Sequence, residues 1–275
     1  MPKLADRVAL ITGGGQGLGK SIALAMAREG ANIVLCDINP HTLAEAVSEL
    51  EAEGAQALGV ECDVASVDSV EGMFAQAAER FDTVHILVNN AALIASGPAD
   101  TERRNRVYAY KSTPMDRQSL GITTSLTDDD WLRFWDVNVH GVFYCTRAAL
   151  RMMEPRKYGK IINISSIAGI GTDSAFSPAY SATKAAVISY TKTCAFDVAG
   201  GGIYVNGIAC GGVMTPPFKK YLAEASAEEK RNLLAMIPLG RLGEPEEYAS
   251  LAVYLASDEH YLVGQTISPN GGAVI

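Results

Sequence analysis

Val8-Ala9-Leu10-Ile11-Thr12-Gly13-Gly14-Gly15-Gln16-Gly17-Leu18-Gly19 is a short apolar run that breaks into glycines and passes at once into a segment of helical spacing, residues 18–29. A run this brief and this continuous reads as a strand buried on both faces. The glycines permit a tight turn and a close approach of backbone to a pyrophosphate, and the helix start adds unpaired N–H groups and the positive end of its dipole. A glycine-rich turn alone is common. Here a strand precedes it, a helix follows it, and Asp37 ends the next apolar run, which is the context that gives the pattern meaning.

Working outward, five more runs of the same kind follow: Ile33-Val34-Leu35-Cys36, Ala57-Leu58-Gly59-Val60, Ile86-Leu87-Val88, Ile161-Ile162-Asn163-Ile164 and Val205-Asn206-Gly207-Ile208. Residues 42–53 and 67–80 lie between them with helical spacing. Strands alternating with helices imply right-handed βαβ units and a parallel sheet. The fold class is therefore α/β, a doubly wound Rossmann-type sheet flanked by helices, with ligands at the carboxyl ends of its strands.

The 275 residues, 48% hydrophobic and 20% charged, suit one large domain spanning 1–275, and no composition break marks a second. A net charge of −8 argues against general nucleic-acid binding, which needs a basic footprint. No apolar run approaches the roughly 18 residues of a membrane span, and residues 1–6 lead straight into the first strand without a signal pattern, so a cytoplasmic protein is expected. Cys36, Cys62, Cys145, Cys194 and Cys210 form no CxxC pair and read as small core residues, and His41, His85, His140 and His260 are equally scattered, so no metal site is expected.

Tyr180-Ser181-Ala182-Thr183-Lys184 places a phenol and an ammonium on one helix face, about one turn apart. A free phenol has a pKa of about 10, and a nearby cation favours the phenolate, so Tyr180 is a candidate to exchange a proton with a substrate oxygen. By itself the pair also describes an ordinary helix surface. Asp37, in turn, suits hydrogen bonds from an adenosine ribose and would repel a 2′-phosphate; with Ile38, Asn39, Pro40 and Gln16 all uncharged, NAD is favoured over NADP. Asp37 equally suits the N-cap of the next helix.

These stretches together resemble the short-chain dehydrogenases/reductases (SDR), and the resemblance covers nearly the whole chain. Thr12, Gly13, Gly17 and Gly19 match that family's cofactor turn, with Gln16 and Leu18 inside it; Asp63-Val64 resembles its adenine-contacting pair; Asn89-Asn90-Ala91 resembles the motif that stabilises its central strand. Asn138, Ser166, Tyr180 and Lys184 are similar to its catalytic tetrad. Ser165 and Ser166 both offer a hydroxyl, and the resemblance selects the second.

The resemblance implies a seven-stranded, mostly parallel sheet and an NAD-dependent short-chain alcohol dehydrogenase/reductase, interconverting a secondary alcohol and its ketone. Tyr180 as phenolate would take the alcohol proton, Ser166 would hold the substrate oxygen, Lys184 would lower the Tyr180 pKa and hold the nicotinamide ribose, and Asn138 would anchor a relay water. The cofactor would be held by Gly13, Gln16, Gly17, Leu18, Gly19, Asp37, Ile38, Asp63, Val64, Asn90, Ala91, Tyr180, Lys184, Gly211, Val213 and Thr215. By the same resemblance the helices after Asn138 and Tyr180 and the terminal strand around 264–272 pair subunits, giving a homotetramer. Substrate classes left open are 3-hydroxyacyl-CoA, hydroxysteroid, cyclic or aryl alcohol and polyol; a non-catalytic NAD-binding regulator is the alternative from another class, disfavoured by the complete tetrad.

Four departures from the family pattern stand out. The interval from Ser166 to Tyr180 is one residue longer than usual, so a bulge near the substrate is expected. Ala92 replaces a glycine, and Cys210 stands where the family has proline, removing a φ restraint and predicting a looser lid over residues 211–238. Cys210 as a nucleophile lacks a neighbouring base in sequence. The last departure is an insertion at 93–127, which between 99 and 119 carries Arg103, Arg104, Arg106, Lys111 and Arg117 against Asp100, Glu102 and Asp116. That balance suits an anionic substrate, a solvated loop or a subunit contact; Tyr108 and Tyr110 also suit packing on an alicyclic or aromatic substrate.

Overall fold

The computed structural model describes residues 2–112, 114, 116, 118–172 and 174–275. Strands β1 (Val8–Thr12), β2 (Asn32–Asp37), β3 (Ala57–Glu61), β4 (Ile86–Asn89), β5 (Gly159–Ser166), β6 (Ile203–Cys210) and β7 (Thr266–Ile267) form one sheet in the order β3-β2-β1-β4-β5-β6-β7. Every pairing is parallel. The order reverses between β1 and β4, the crevice where a doubly wound sheet receives its ligand.

Alternation along the strands explains why both faces are apolar. Ala9, Ile11, Ile33, Leu35, Ile162 and Ile208 point to one face, covered by α1 (Gly17–Arg28), α2 (Pro40–Ala52) and α10 (Pro245–Ala256). Val8, Leu10, Val34, Cys36, Leu87, Ile161 and Val205 point to the other, covered by α3 (Val67–Phe81), α6 (Gly141–Met153) and α7 (Pro178–Val198). Each of these strand residues is at most 3% exposed, so helices seal both sides.

Polar residues inside these runs join the elements. Asn89 Nδ2 donates to Thr146 Oγ1 at 3.0 Å and to Asn163 Oδ1 at 2.8 Å, and Asn163 Nδ2 donates to Thr191 Oγ1 at 2.9 Å. One buried chain of amides and hydroxyls thus ties β4, β5, α6 and α7 in register, which an apolar core would leave less specific. Asn163, the one polar residue in its apolar run, was the available sign of it.

The insertion folds rather than wandering. It holds α4 (Pro98–Ser112), and α5 (Asp128–Trp135) follows it. Val107, Ile122 and Phe176 form a third small core, with Ala95, Tyr108 and Leu120 against it. The span 211–238 carries α8 (Pro216–Glu224) and α9 (Ala227–Ala235). No helix among the described residues is long and apolar enough to cross a membrane.

Candidate functional site

The glycine turn is built to be small. Gly13 and Gly17 have φ of +63° and +58°, a region that costs an L side chain dearly. A Cβ at Gly13 would stand 2.9 Å from Ala91 Cα, and one at Gly19 would collide with the Gly13 carbonyl oxygen. Asn90 closes the turn from β4, donating through Nδ2 to Thr12 O at 2.9 Å and Gly13 O at 3.0 Å. Thr12 Oγ1 accepts from the backbone N–H of Asn90 and Ala91, both at 3.0 Å.

At Gly17 the added Cβ would find only Thr215 side-chain carbons, the nearest at 3.5 Å. Gln16 is the N-cap of α1 but makes no side-chain cap, and the first turn holds no acidic residue. No side-chain cap among the described residues occupies the N-terminus of α1, which leaves its first N–H groups available to a pyrophosphate.

Asp37 lies beside that turn. Its Oδ2 accepts from Gly15 N and its Oδ1 from Asn39 N, each at 3.0 Å. The N-cap of α2 is Asn39 rather than Asp37, since Asn39 Oδ1 accepts from His41 N and Thr42 N. Relieved of capping, Asp37 is fixed by two backbone donors and keeps lone pairs for ribose hydroxyls. Ile38 is largely exposed next to it; Asp63 lies past β3 with its Oδ1 accepting from Ala65 N, and Val64 is buried against Gly141.

Ser166, Tyr180 and Lys184 meet at the carboxyl end of β5. Ser166 Oγ accepts from Ala168 N at 3.1 Å, and Ser166 lies near enough to the Tyr180 phenol to favour its ionised form. Ser165 instead turns away and donates to Lys184 O at 2.8 Å, so the two hydroxyls are separated by the strand's alternation. Lys184 Nζ donates to Ile164 O at 2.8 Å and stands 5.8 Å from the centre of the Tyr180 ring. Phe134 on α5, which sequence reasoning passed over, packs edge-on to that ring at 6.4 Å; its place on the inner face of α5 was the available signal.

Electrostatics here differ from the expectation. Burial pushes Tyr180 up to about 12, with the Ser166 hydrogen bond pulling down as the smaller effect. Burial likewise pushes Lys184 down to about 8. In the protein alone the phenol is thus raised, not lowered, because desolvation outweighs the lowering by Ser166. Cys210, also at this end of the sheet, is pushed up to about 12 by burial, so its thiol is neutral and a poor nucleophile near pH 7.

Asn138 lies in a π-turn, Asp136–His140, between α5 and α6. Its Oδ1 accepts from Leu93 N at 2.7 Å, while Nδ2 donates to Leu93 O and Thr183 Oγ1, both at 3.1 Å. The side chain thereby clamps the post-β4 segment to α7. Irregular π-turns leave backbone groups out of the helical pattern, and these often serve at functional sites.

The stretch directly after β6 is tied to its surroundings by hydrogen bonds. Gly211 N donates to Pro269 O, Met214 N to Gly243 O and Tyr248 Oη to Gly212 O, at 3.1, 2.9 and 3.2 Å. Val213 bridges to Gly243, and Thr215 comes to face Gly17 across the crevice. Beyond Ser166 the chain turns in a 3-10 helix, Ile167–Gly169, Gly169 packs onto Lys184, and Phe176 is buried in the insertion's core.

Two of the insertion's five basic residues pair with carboxylates on their own helix. Arg103 pairs with Asp100 at 2.7 Å and Arg106 with Glu102 at 2.8 Å; Arg117 lies outside the described residues.

Comparison with known proteins agrees with this geometry. The family model for short chain dehydrogenase matches residues 7–226. The chain is 35% identical to the 3-oxoacyl-[acyl-carrier-protein] reductase of Synechocystis sp., over all of both chains. It is 33% identical to the (2S)-[(R)-hydroxy(phenyl)methyl]succinyl-CoA dehydrogenase subunit BbsD of Thauera aromatica, covering 98% of this chain and 97% of the relative. Among solved structures, a short-chain type dehydrogenase/reductase from Mycobacterium marinum superposes with a TM-score of 0.82 at 30% identity, over 99% of this chain and 97% of that one. Levodione reductase superposes with a TM-score of 0.84 at 27% identity, over 98% of both. With sheet order, glycine turn and Ser-Tyr-Lys cluster in agreement, this chain belongs to the short-chain dehydrogenase/reductase family of oxidoreductases.

Proposed function

We propose that the protein is an NAD-dependent oxidoreductase that interconverts a secondary alcohol and its ketone. The observation that carries this reading is the meeting of Ser166, Tyr180 and Lys184 at the end of β5, across the crevice from the turn that Asp37 borders. Residues 13 and 16–19, Asp37, Ile38, Asp63, Val64, Asn90, Ala91, Gly211, Val213 and Thr215 would hold the dinucleotide, with Tyr180 and Lys184 at its nicotinamide ribose. When bound, NAD supplies the hydride-accepting carbon and, in its oxidised form, a positive charge.

Tyr180 takes the alcohol proton as hydride leaves, or returns it in reduction. Ser166, next to the phenol, holds the substrate oxygen beside it. Lys184 provides the nearby ammonium that favours phenolate once the site is filled, and Asn138 acts as the clamp that fixes the walls. The carboxylate of Asp37 would meet a 2′-phosphate with repulsion, which supports NAD over NADP.

Phe143 on α6 and Phe196 on α7 are 41% and 90% exposed, which supports pairing of these helices in a homotetramer. A soluble cytoplasmic enzyme of one domain is the matching reading for the whole chain. The Synechocystis and Thauera relatives are both named for acyl thioesters, and this favours a 3-hydroxyacyl or 3-oxoacyl thioester as the substrate class.

Formation of NADH from NAD across 3-hydroxyacyl thioesters, hydroxysteroids, cyclic and aryl alcohols and polyols tests the proposal, with Tyr180→Phe as the blank. Turnover on one class that disappears in the variant is expected. Cofactor binding without turnover on any class would instead leave a regulator.

A further inference from the structure

Three arginines lie within four residues on α4, and their fates differ. Arg103 and Arg106 each have a carboxylate within 3 Å, from Asp100 three residues back and Glu102 four residues back. Arg104 has none among the described residues. Its own i−4 position is Asp100, already taken by Arg103, and its i+3 and i+4 positions are Val107 and Tyr108. Its Nη2 donates to Ala95 O at 2.9 Å, and its guanidinium carbon lies 4.8 Å from the centre of the Phe176 ring and 5.8 Å from that of Tyr221.

Those three partners each belong to a segment that leads directly into the site. Ala95 follows Leu93, whose backbone Asn138 clamps at both N and O. Phe176 lies four residues before Tyr180, and Tyr221 is on α8, which begins one residue after Thr215. The guanidinium therefore sits where the insertion, the loop before the phenol and the span after β6 converge. Partial burial without a carboxylate is costly for a cation, and aromatic faces with one carbonyl compensate only part of it. Its unused N–H groups match the planar fork that carboxylates and phosphates accept.

We propose that Arg104 receives an anionic oxygen group at the far end of the substrate, a carboxylate or a phosphate, while the carbinol end lies at Ser166 and Tyr180. The assignment rests on the alcohol–ketone reading of the same site. It makes Arg104 a specificity-determining residue, and it explains why the helix neutralises two of these three arginines and leaves the third.

Two pairs of probes that differ in charge test this: 3-hydroxybutyrate against its methyl ester, and 3-hydroxybutyryl-CoA against the neutral N-acetylcysteamine thioester. Each is measured for KM and, by calorimetry in the presence of cofactor, for Kd, with wild type, Arg104→Gln and Arg104→Lys. Wild type is expected to prefer the charged member of at least one pair by about tenfold or more, as for a charge-assisted contact. Arg104→Gln should erase that preference with kcat and the neutral probes unchanged, and Arg104→Lys should restore part of it. Preference within the first pair identifies a carboxylate, within the second the phosphates of the carrier.

Equal losses on charged and neutral probes in Arg104→Gln would overturn the assignment, leaving Arg104 as a clamp between Phe176 and Tyr221. So would a wild type that prefers neither charged probe. Calorimetry reads both results even without turnover, so a failure of the oxidoreductase reading remains distinguishable from a failure of this one.

Discussion

The turn after β1 and the insertion after β4 both leave the carboxyl end of a buried strand, yet one is fixed atom by atom and the other by a few contacts. Gly13 and Gly19 have no room for a methyl, and Asn90 and Asp37 hold the turn by three hydrogen bonds, two to carbonyls and one from an N–H group. In the insertion, a Cβ at Gly97 would meet nothing nearer than Asp100 Oδ2 at 3.8 Å, and a three-residue core holds α4 down. A dinucleotide has one shape for every enzyme that uses it. A substrate does not, so the half of the site that reads it is free to differ.

The largest expected effect falls where the halves meet. Tyr180→Phe should lower kcat by about 10³-fold, within the range for a lost general acid–base, with cofactor affinity unchanged in equilibrium titrations. A variant that kept its turnover would remove Tyr180 from the chemistry. Next, Gly19→Ala drives a methyl into Gly13 O and within 2.5 Å of Asn90 Nδ2. A loss of about 3 kcal/mol in urea unfolding is expected. The matched change in the other half, Gly97→Ala, should stay within about 0.5 kcal/mol; similar losses at both would break the comparison.

Lys184→Met sets stability against function. The lysine is pushed down to about 8 from 10.5 by burial, so carrying its charge costs the folded state most below pH 8. That penalty fades as pH rises from about 8 to 10.5, where the unfolded chain also loses the proton. The variant should therefore be more stable than wild type by about 1–3 kcal/mol at pH 7, lose this advantage near pH 10.5, and turn over poorly throughout. Smallest of all, Arg106→Gln removes an exposed i,i+4 pair and should shift stability by at most about 0.5 kcal/mol.

The same contrast governs what could be read from the sequence. Strand positions followed from continuous apolar runs, since burial on both faces leaves no other pattern, and the turn followed from glycines that only such a backbone requires. Asp37 was legible as a carboxylate near the turn, but not its release from capping, because Asn39 two residues on does that work. Asn138 was legible as a site residue, while its clamp on Leu93 was not, since that contact spans 45 residues. Raised Tyr180 and lowered Lys184 are products of burial, which spacing along a helix does not reveal. In the insertion, charge counting did not show that Arg103 and Arg106 pair at i−3 and i−4 while Arg104 has no carboxylate among the described residues.

The most direct test of the account's centre, a cofactor half whose residues set its ligand, is the ratio of kcat/KM for NAD over NADP in wild type and Asp37→Ala. We expect NAD to be preferred by about tenfold to a hundredfold, equivalent to about 1.4–2.7 kcal/mol, and the ratio to approach one in the variant. Equal or better use of NADP by wild type, or an unchanged ratio after Asp37→Ala, would contradict it.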